Sequence, residues 1–293
     1  MTEFDFDLAD RVQKIKSIDE QYDLENNAFI SFSGGKDSTV LHYLVDMALP
    51  NNKIPRVYAD TGIELNIIKD FVKDLQKHDD RIVIIKPSTP IREMLERDGY
   101  PFKSKDFAQK LKIFRHNDFD ISKRIGLQKY LDGHGRFRCP NILRYMFDGD
   151  IGLNISDKCC TNLKEKPLHK WQEENDKPYC IIGLMRDEGG RRVTAKCLAF
   201  KDNGRMNFQP LVVISKEWED WFIEKYNIKI CDIYYEPYNF PRTGCKGCPF
   251  TVDLQRQLDI LEEFFPDERK QCEIIWKPVY DEYRRIGYRL KSN

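Results

Sequence analysis

The chain has 293 residues, enough for one α/β core and an appendage, and its 41% hydrophobic and 12% aromatic content is ordinary for a globular protein. Lys plus Arg and Asp plus Glu are equal at 48 each, so no global field draws nucleic acid or membrane, and any such attraction has to be local. The longest apolar stretches, such as 82–85, are strand-sized and do not approach a membrane span, while the first ten residues carry four acids and no basic segment, unlike a secretory signal, so a cytoplasmic protein is expected.

Residues 27–33 form an apolar run ending in glycines, which predicts a strand. Residues 37–47 have helical spacing through Val40, Leu41, Leu44 and Val45, with Pro50 beyond the end. A strand is expected over 54–59, a helix over 64–77, a third strand over 81–86, and a helix from Pro90 to Arg97, because proline suits a first turn. This alternation predicts an α/β fold with a doubly wound, mostly parallel sheet and helices on both faces. From 99 to about 152 the pattern turns polar and weakly periodic. Between Pro101 and Tyr145 eleven Lys or Arg stand against four Asp, which marks a basic helical insert. Sheet signals return at 179–184 and 208–214, a helix over 216–225 carries Trp218 and Trp221, and after Pro241 a cysteine turn leads into a helical tail. That tail has nine basic and nine acidic residues beyond Cys245, as a solvated cap would. The expected division is a nucleotide-binding domain over 1–240, with its insert at about 100–152, and a cysteine turn with a helical C-terminal cap over 241–293.

The segment Ser33-Gly34-Gly35-Lys36-Asp37-Ser38 follows a strand and opens a helix. Gly34 and Gly35 allow positive φ and close approach to a ligand, so successive N–H groups face one concavity and the helix adds its positive end. Ser33 and Ser38 offer hydroxyls and Lys36 a point charge, while Asp37 is placed to cap the helix or to hold magnesium. The spacing is not that of a Walker loop. An adenine nucleotide held by its phosphates is the expected ligand.

These residues resemble the pyrophosphatase loop of the adenine-nucleotide α-hydrolase superfamily, whose members split ATP between its α and β phosphates. Asp60-Thr61-Gly62 resembles a turn of the phosphoadenosine phosphosulfate reductase branch, and it falls at the carboxyl end of a predicted strand, where ligands of parallel sheets sit. The stretch from Asp157 to Leu168 is similar to that branch's Cys-Cys-x-x-x-Lys-x-x-Pro-Leu element. Gly183 to Arg192 is similar to its Gly-Ile-Arg-x-x-Glu-Ser-x-x-Arg segment, and Gly244 to Phe250 to its last cysteine turn. The resemblance covers 27–250. It implies a Rossmann-like fold and nucleotide contacts from Ser31, Ser33, Gly34, Gly35, Lys36, Asp37, Ser38, Asp60, Thr61, Gly62 and Gly183. It also implies catalytic roles for Lys36, Asp37, Glu188 and Arg192. Two departures bear on the anion contacts: Met185 stands where the branch has its first arginine, with Arg186 one place later, and Gly189 stands where it has serine.

Nine cysteines, an odd count without a signal peptide, argue for a reducing compartment over a disulfide framework. Cys159-Cys160 and, after eighty-four intervening residues, Cys245-x-x-Cys248 supply four thiolates, which suits zinc or an iron–sulfur cluster. Adjacent cysteines point apart in most backbone conformations, so Cys139 is a candidate to replace Cys159 or Cys160. The pattern resembles that of the assimilatory adenylyl-sulfate reductases, which implies a [4Fe–4S] cluster on Cys159, Cys160, Cys245 and Cys248, with zinc as the alternative.

In the insert, Lys103, Lys105, Lys110, Lys112, Arg115, Lys123, Arg124, Arg136, Arg138 and Arg144 are interleaved with Phe107, Phe114, Phe119 and Tyr130. This suits either phosphates and bases of a nucleic-acid acceptor or a solvated helical hairpin. Sulfonucleotide reductases carry a nucleophilic cysteine on a C-terminal tail and a degraded phosphate loop. Here the loop is intact, Cys272 sits within a predicted helix, and 289–293 contain no cysteine. The leading expectation is therefore an ATP pyrophosphatase that adenylates an acceptor for sulfur transfer from a donor protein or thiol, with magnesium. ATP-pyrophosphatase components of DNA phosphorothioation systems are similar in having this loop with a cysteine cluster. The alternatives are a reductase of adenylyl sulfate or phosphoadenylyl sulfate that uses a thiol reductant, and a non-catalytic nucleotide-sensing or DNA-binding partner.

Overall fold

The computed structural model describes residues 2–116, 118–120, 122, 125–133, 138–149, 151–188 and 190–291. Its helices in chain order are α1 (Glu3–Tyr22), α2 (Leu24–Asn27), α3 (Lys36–Ala48), α4 (Asn66–His78), α5 (Ile91–Asp98), α6 (Lys105–His116), α7 (Ile125–Leu131), α8 (Lys166–Glu174), α9 (Lys216–Lys225), α10 (Leu254–Phe264), α11 (Pro266–Ile275) and α12 (Lys277–Arg285). The strands are β1 (Ala28–Phe32), β2 (Arg56–Ala59), β3 (Ile82–Ile85), β4 (Tyr179–Ile182), β5 (Leu198–Phe200) and β6 (Met206–Phe208). None of the described helices is long and apolar enough to cross a membrane.

Two compact units share these elements. The first comprises Met1–Pro87 and Lys166–Thr243. It holds a six-stranded sheet in the order β3-β2-β1-β4-β6-β5, parallel except for the β5–β6 pair. In β1, Ala28, Phe29, Ile30 and Phe32 are all buried, as a central parallel strand covered on both faces requires. α1 was not expected from the sequence. A capping box between Thr2 and Asp5 starts it, and Leu8, Ile15 and Ile18 join the core formed by Val40, Leu41, Leu44 and Val45 of α3. Strand order reverses between β1 and β4, so a crevice opens beyond their carboxyl ends.

The strand expected over 208–214 is corrected. Pairing ends at Phe208, and Val212 and Ile214 donate to Gln209 and Leu211 in successive turns. The apolar run is nonetheless real, since Leu211, Val212 and Ile214 are buried; they pack as a turn because Pro210 has no N–H for a ladder. The hairpin partner β5 was missed, being three residues long with one face exposed.

The second unit comprises Ser88–Glu165 and Gly244–Asn293, so the basic insert and the C-terminal cap fold as one body. Phe102, Phe107, Phe114 and Phe147 form its aromatic core. Phe102 meets Tyr283 of α12 edge-on, and Tyr283 also accepts the Lys103 N–H at its hydroxyl.

Candidate functional site

The loop after β1 is organised by short bonds between its own residues. Ser33 and Ser38 hydroxyls lie 2.9 Å apart, the Gly35 N–H donates to Ser33 Oγ at 3.2 Å, and Ser38 Oγ donates to the Gly35 carbonyl at 3.0 Å. Gly34 takes φ of +68°, and a Cβ there would fall 2.8 Å from Val72 Cγ2, so only glycine fits. Gly35 occupies the N-cap position of α3 and, having no side chain, gives that helix no cap of its own. Its first amides are therefore directed at the crevice, as anion sites at helix starts require. Tyr234 accepts the Lys36 N–H at 2.9 Å and stands beside Thr243. Gly183, just past β4, packs against Asp37; a Cβ would come within 2.8 Å of the Asp37 carbonyl oxygen.

A pocket of about 470 Å³ opens over this loop, lined by Ser33, Gly35, Lys36, Asp37, Ser38 and Gly183 among others. Four basic side chains face it, from Lys36, Arg192, Lys216 and Arg242, against two acidic ones, from Asp37 and Glu219. The surplus of positive charge inside a partly enclosed crevice matches a polyphosphate. Burial lowers the Arg192 pKa, and Arg242 lowers it further by like-charge repulsion, while Asp37 opposes both. Lys36 Nζ lies 2.9 Å from Asp220 and 3.2 Å from Glu219. Burial works against its charge, yet these carboxylates outweigh that and raise its pKa. Glu219 is 1% exposed and is pushed up to about 7, first by burial and then by Asp37, with Lys36 opposing.

The second candidate site is in the other unit. Burial and mutual charge couple Cys159, Cys160, Cys245 and Cys248. Cys159 is held protonated, first through its hydrogen bond with Cys160 and then by burial, with Cys248 and Cys245 adding to it. Cys160 is held low by the same bond from Cys159, helped by Lys105 and Lys164. A wide π turn over Thr161–Glu165 follows this pair and is the irregular backbone that two adjacent ligands need. At Cys248 burial raises the thiol pKa, while the Phe250 N–H donates to the sulfur and opposes the rise. The cap holds the turn's carbonyls: Trp276 Nε1 donates to Lys246 O at 2.9 Å, Tyr280 to Gly247 O, and Tyr283 to Pro249 O at 2.9 Å. Lys246 itself is buried in an ion pair with Glu268 at 3.1 Å. Cys139 has Tyr130, Lys103 and Arg144 as its polar neighbours and is buried apart from that set.

The profile of the phosphoadenosine phosphosulfate reductase domain matches residues 27–136 and 144–251, most of the chain. The chain belongs to the phosphoadenosine phosphosulfate reductase domain family. An uncharacterized protein of Methanocaldococcus jannaschii is 31% identical over 290 residues, which is 95% of this chain and 55% of that relative, so the chain spans about half the relative's length. Among solved structures, the phosphoadenylyl-sulfate reductase of Candida auris is similar at 11% identity, with 71% of this chain and 76% of that one covered and a TM-score of 0.42. The U34-tRNA thiolase of Methanococcus maripaludis with its [4Fe–4S] cluster gives 15%, 97%, 80% and 0.42 in the same order. The FMN adenylyltransferase of Candida glabrata gives 14%, 84%, 65% and 0.48.

In this reductase-family domain the pocket gathers Ser33, Gly35, Lys36, Asp37, Ser38, Gly183 and Arg192 of the residues singled out in the sequence. Others lie apart from it. Ser31 is inside β1, paired to Val57 and Ile182. Asp60-Thr61-Gly62 forms a turn closed on itself, with Asp60 Oδ1 accepting the Gly62 N–H at 3.0 Å and Thr61 donating to Glu64 at 2.7 Å. Arg186, the arginine shifted by one place, clamps the Ala195 carbonyl at 2.7 Å, and Arg192, which is in register, lines the pocket. The Glu188 side chain lies outside the described residues. Lys216, Glu219, Tyr234, Arg242 and Thr243 were missed. Arg242-Thr243-Gly244 before the cysteine turn was the one local signal, a basic residue beside glycine; the helix over 216–225 was read only for its Trp218 and Trp221.

The insert's aromatic side chains are turned to packing. Phe107 and Phe114 are buried and Phe119 meets Phe114 edge-on. Lys103 lies over Phe107 and Lys110 over Tyr130. Lys123, Arg124 and Arg136 lie outside the described residues.

Proposed function

We propose that this domain is an ATP pyrophosphatase that adenylates an acceptor oxygen so that sulfur can displace it. The observation that supports this most is the start of α3, with glycine at its N-cap, facing a pocket with four cationic side chains, a charge matched to a triphosphate. In the first step the acceptor oxygen attacks the α-phosphorus, the bond to the β-phosphate oxygen breaks, and pyrophosphate leaves with that electron pair. Backbone amides at 37 and 38, the Lys36 ammonium and Arg242 would stabilise the charge growing on the departing pyrophosphate, and Arg192 would hold the α-phosphate. In the second step a sulfur nucleophile displaces AMP from the acceptor carbon or phosphorus.

The cysteine set fits an iron–sulfur group. Cys160, Cys248 and Cys245 all act electrostatically on Cys159, so four thiols are gathered in one place, and an all-thiolate donor set suits such clusters, with zinc as the alternative. Cys159, Cys160, Cys245 and Cys248 would hold a [4Fe–4S] cluster. Such a group supplies a place for sulfur or electrons when bound. The turn's own residues keep the sulfurs in position through the cap's tyrosines and Trp276.

Reduction of a sulfonucleotide is the second reading, and it requires an accessible thiolate. Cys272 is fully buried and pushed up to about 12 by burial, which supports the ATP-dependent reading. Anaerobically purified protein given ATP and magnesium, with DNA or transfer RNA as acceptor, is expected to release AMP and pyrophosphate in equal amounts. Release of sulfite from labelled adenylyl sulfate, with no pyrophosphate from ATP under any acceptor, would establish the reductase instead. Tight ATP binding without either product would leave the nucleotide-sensing role.

A further inference from the structure

Anion binding alone does not account for Glu219. It enters the phosphate pocket from α9, is 1% exposed, and its Oε1 has no hydrogen-bond partner among the described residues. A carboxylate withdrawn from water without donors is costly. Beside Asp37 it also repels the phosphate oxygens that the neighbouring cations attract. Among the described residues its ion-pair partner is Lys36, whose ammonium is shared with Asp220 and thereby turned away from a role on phosphate. Two carboxylates, with phosphate oxygens completing the shell, are the donor set magnesium favours.

Resting on the reading of this pocket as a triphosphate site, we propose that Asp37 and Glu219 together hold the divalent cation that accompanies the nucleotide, and that Lys36 keeps its place until it arrives. A divalent ion between the two carboxylates replaces the single charge of the ammonium, which is then released onto the phosphates. Asp220 is 67% exposed and stays in water. The other close ligand group, His42, Asp46 and Asp79, is already neutralised. Arg56 and Arg81 lie 2.6 and 2.7 Å from Asp46, and Arg81 also pairs with Asp79, so a cation would find no net negative charge there.

Binding of an ATP analogue with a methylene bridge between the α and β phosphates, followed by calorimetry on the full chain in magnesium or in EDTA, tests the proposal. In the wild type, magnesium is expected to tighten binding about tenfold or more. In Glu219→Gln the gain should fall below about twofold, while binding in EDTA is kept or improved because a repulsive charge is gone. Bound Mn²⁺, read by paramagnetic resonance, should be lost in parallel. Asp37→Asn, a second variant independent of the α9 packing, should show the same loss. Asp220→Asn should retain the magnesium gain; if it loses the gain as fully as Glu219→Gln, the lysine clamp is being read and the proposal fails. Full retention of the gain in Glu219→Gln or Asp37→Asn also overturns it and leaves the triphosphate reading standing. A wild type that binds the analogue in neither buffer overturns both.

Discussion

Gly247 sits between the two cysteines of the Cys245–Cys248 turn with φ of +57°. A Cβ there would lie 2.8 Å from Cys272 Sγ and 3.0 Å from Cys272 Cβ. Cys272 is fully buried on α11 and the Gly247 carbonyl accepts the Tyr280 hydroxyl, so neither neighbour is the loose end of a flexible side chain. The left-handed backbone costs a non-glycine residue about 1 kcal/mol. Overpacking a closed site adds about 1–3 kcal/mol. Gly247→Ala is therefore expected to lower the unfolding free energy by about 2–4 kcal/mol. Gly287 isolates the backbone contribution: its φ is +63° and a Cβ there meets nothing within 4 Å. Gly287→Ala should lose only about 1 kcal/mol. Urea denaturation of both variants, with and without chelator, gives the comparison. Equal losses in the two would refute the close packing of the cysteine turn on α11.

Two further outcomes follow from the geometry of the first unit. Arg192→Ala should weaken binding of the ATP analogue about tenfold, as loss of a charged phosphate contact does, while Arg186→Ala should change it by less than about twofold; calorimetry giving the reverse order would show that the pocket assignment of these arginines is wrong. His42 is pushed down to about 4, by burial first and Arg56 second. An unfolded histidine titrates near 6.5, so the unfolded chain takes the proton first and stability falls as pH drops from about 6.5 to about 4, by up to about 3 kcal/mol. Glu219 acts in the opposite sense: with its pKa raised, the folded state takes its proton first and gains stability as pH falls from about 7 toward 4.5. The difference between wild type and His42→Gln isolates the histidine, and a difference independent of pH across that window would contradict its neutral burial.

Much of the fold was legible because its signals are local. The runs over 27–33, 54–59 and 81–86 became β1, β2 and β3 with trimmed ends, and the spacing of Val40, Leu41, Leu44 and Val45 placed α3. The run over 208–214 misled because burial does not reveal whether an apolar segment lies in a ladder or a turn. α1 went unseen because its buried Leu8, Ile15 and Ile18 are widely spaced among charges. Arg56 illustrates the reverse case. It is a fully buried cation within β2, tolerated because His42, Asn52 and Asp46 approach it from elsewhere in the chain.

By itself the sequence determined the glycine loop between β1 and α3, the parallel sheet and the spacing of the four paired cysteines, because glycine conformations, hydrophobic period and thiol spacing are properties of short segments. It also carried enough of the family's pattern to place the chain among the phosphoadenosine phosphosulfate reductase domains. Only the tertiary structure decided that Arg192, and not Arg186, reaches the pocket, and that Glu219, Tyr234 and Arg242 join it from further along the chain. It likewise decided that the insert and the C-terminal cap fold as one unit. These are long-range pairings, fixed by which surfaces bury against one another, and no local pattern of residue types encodes them.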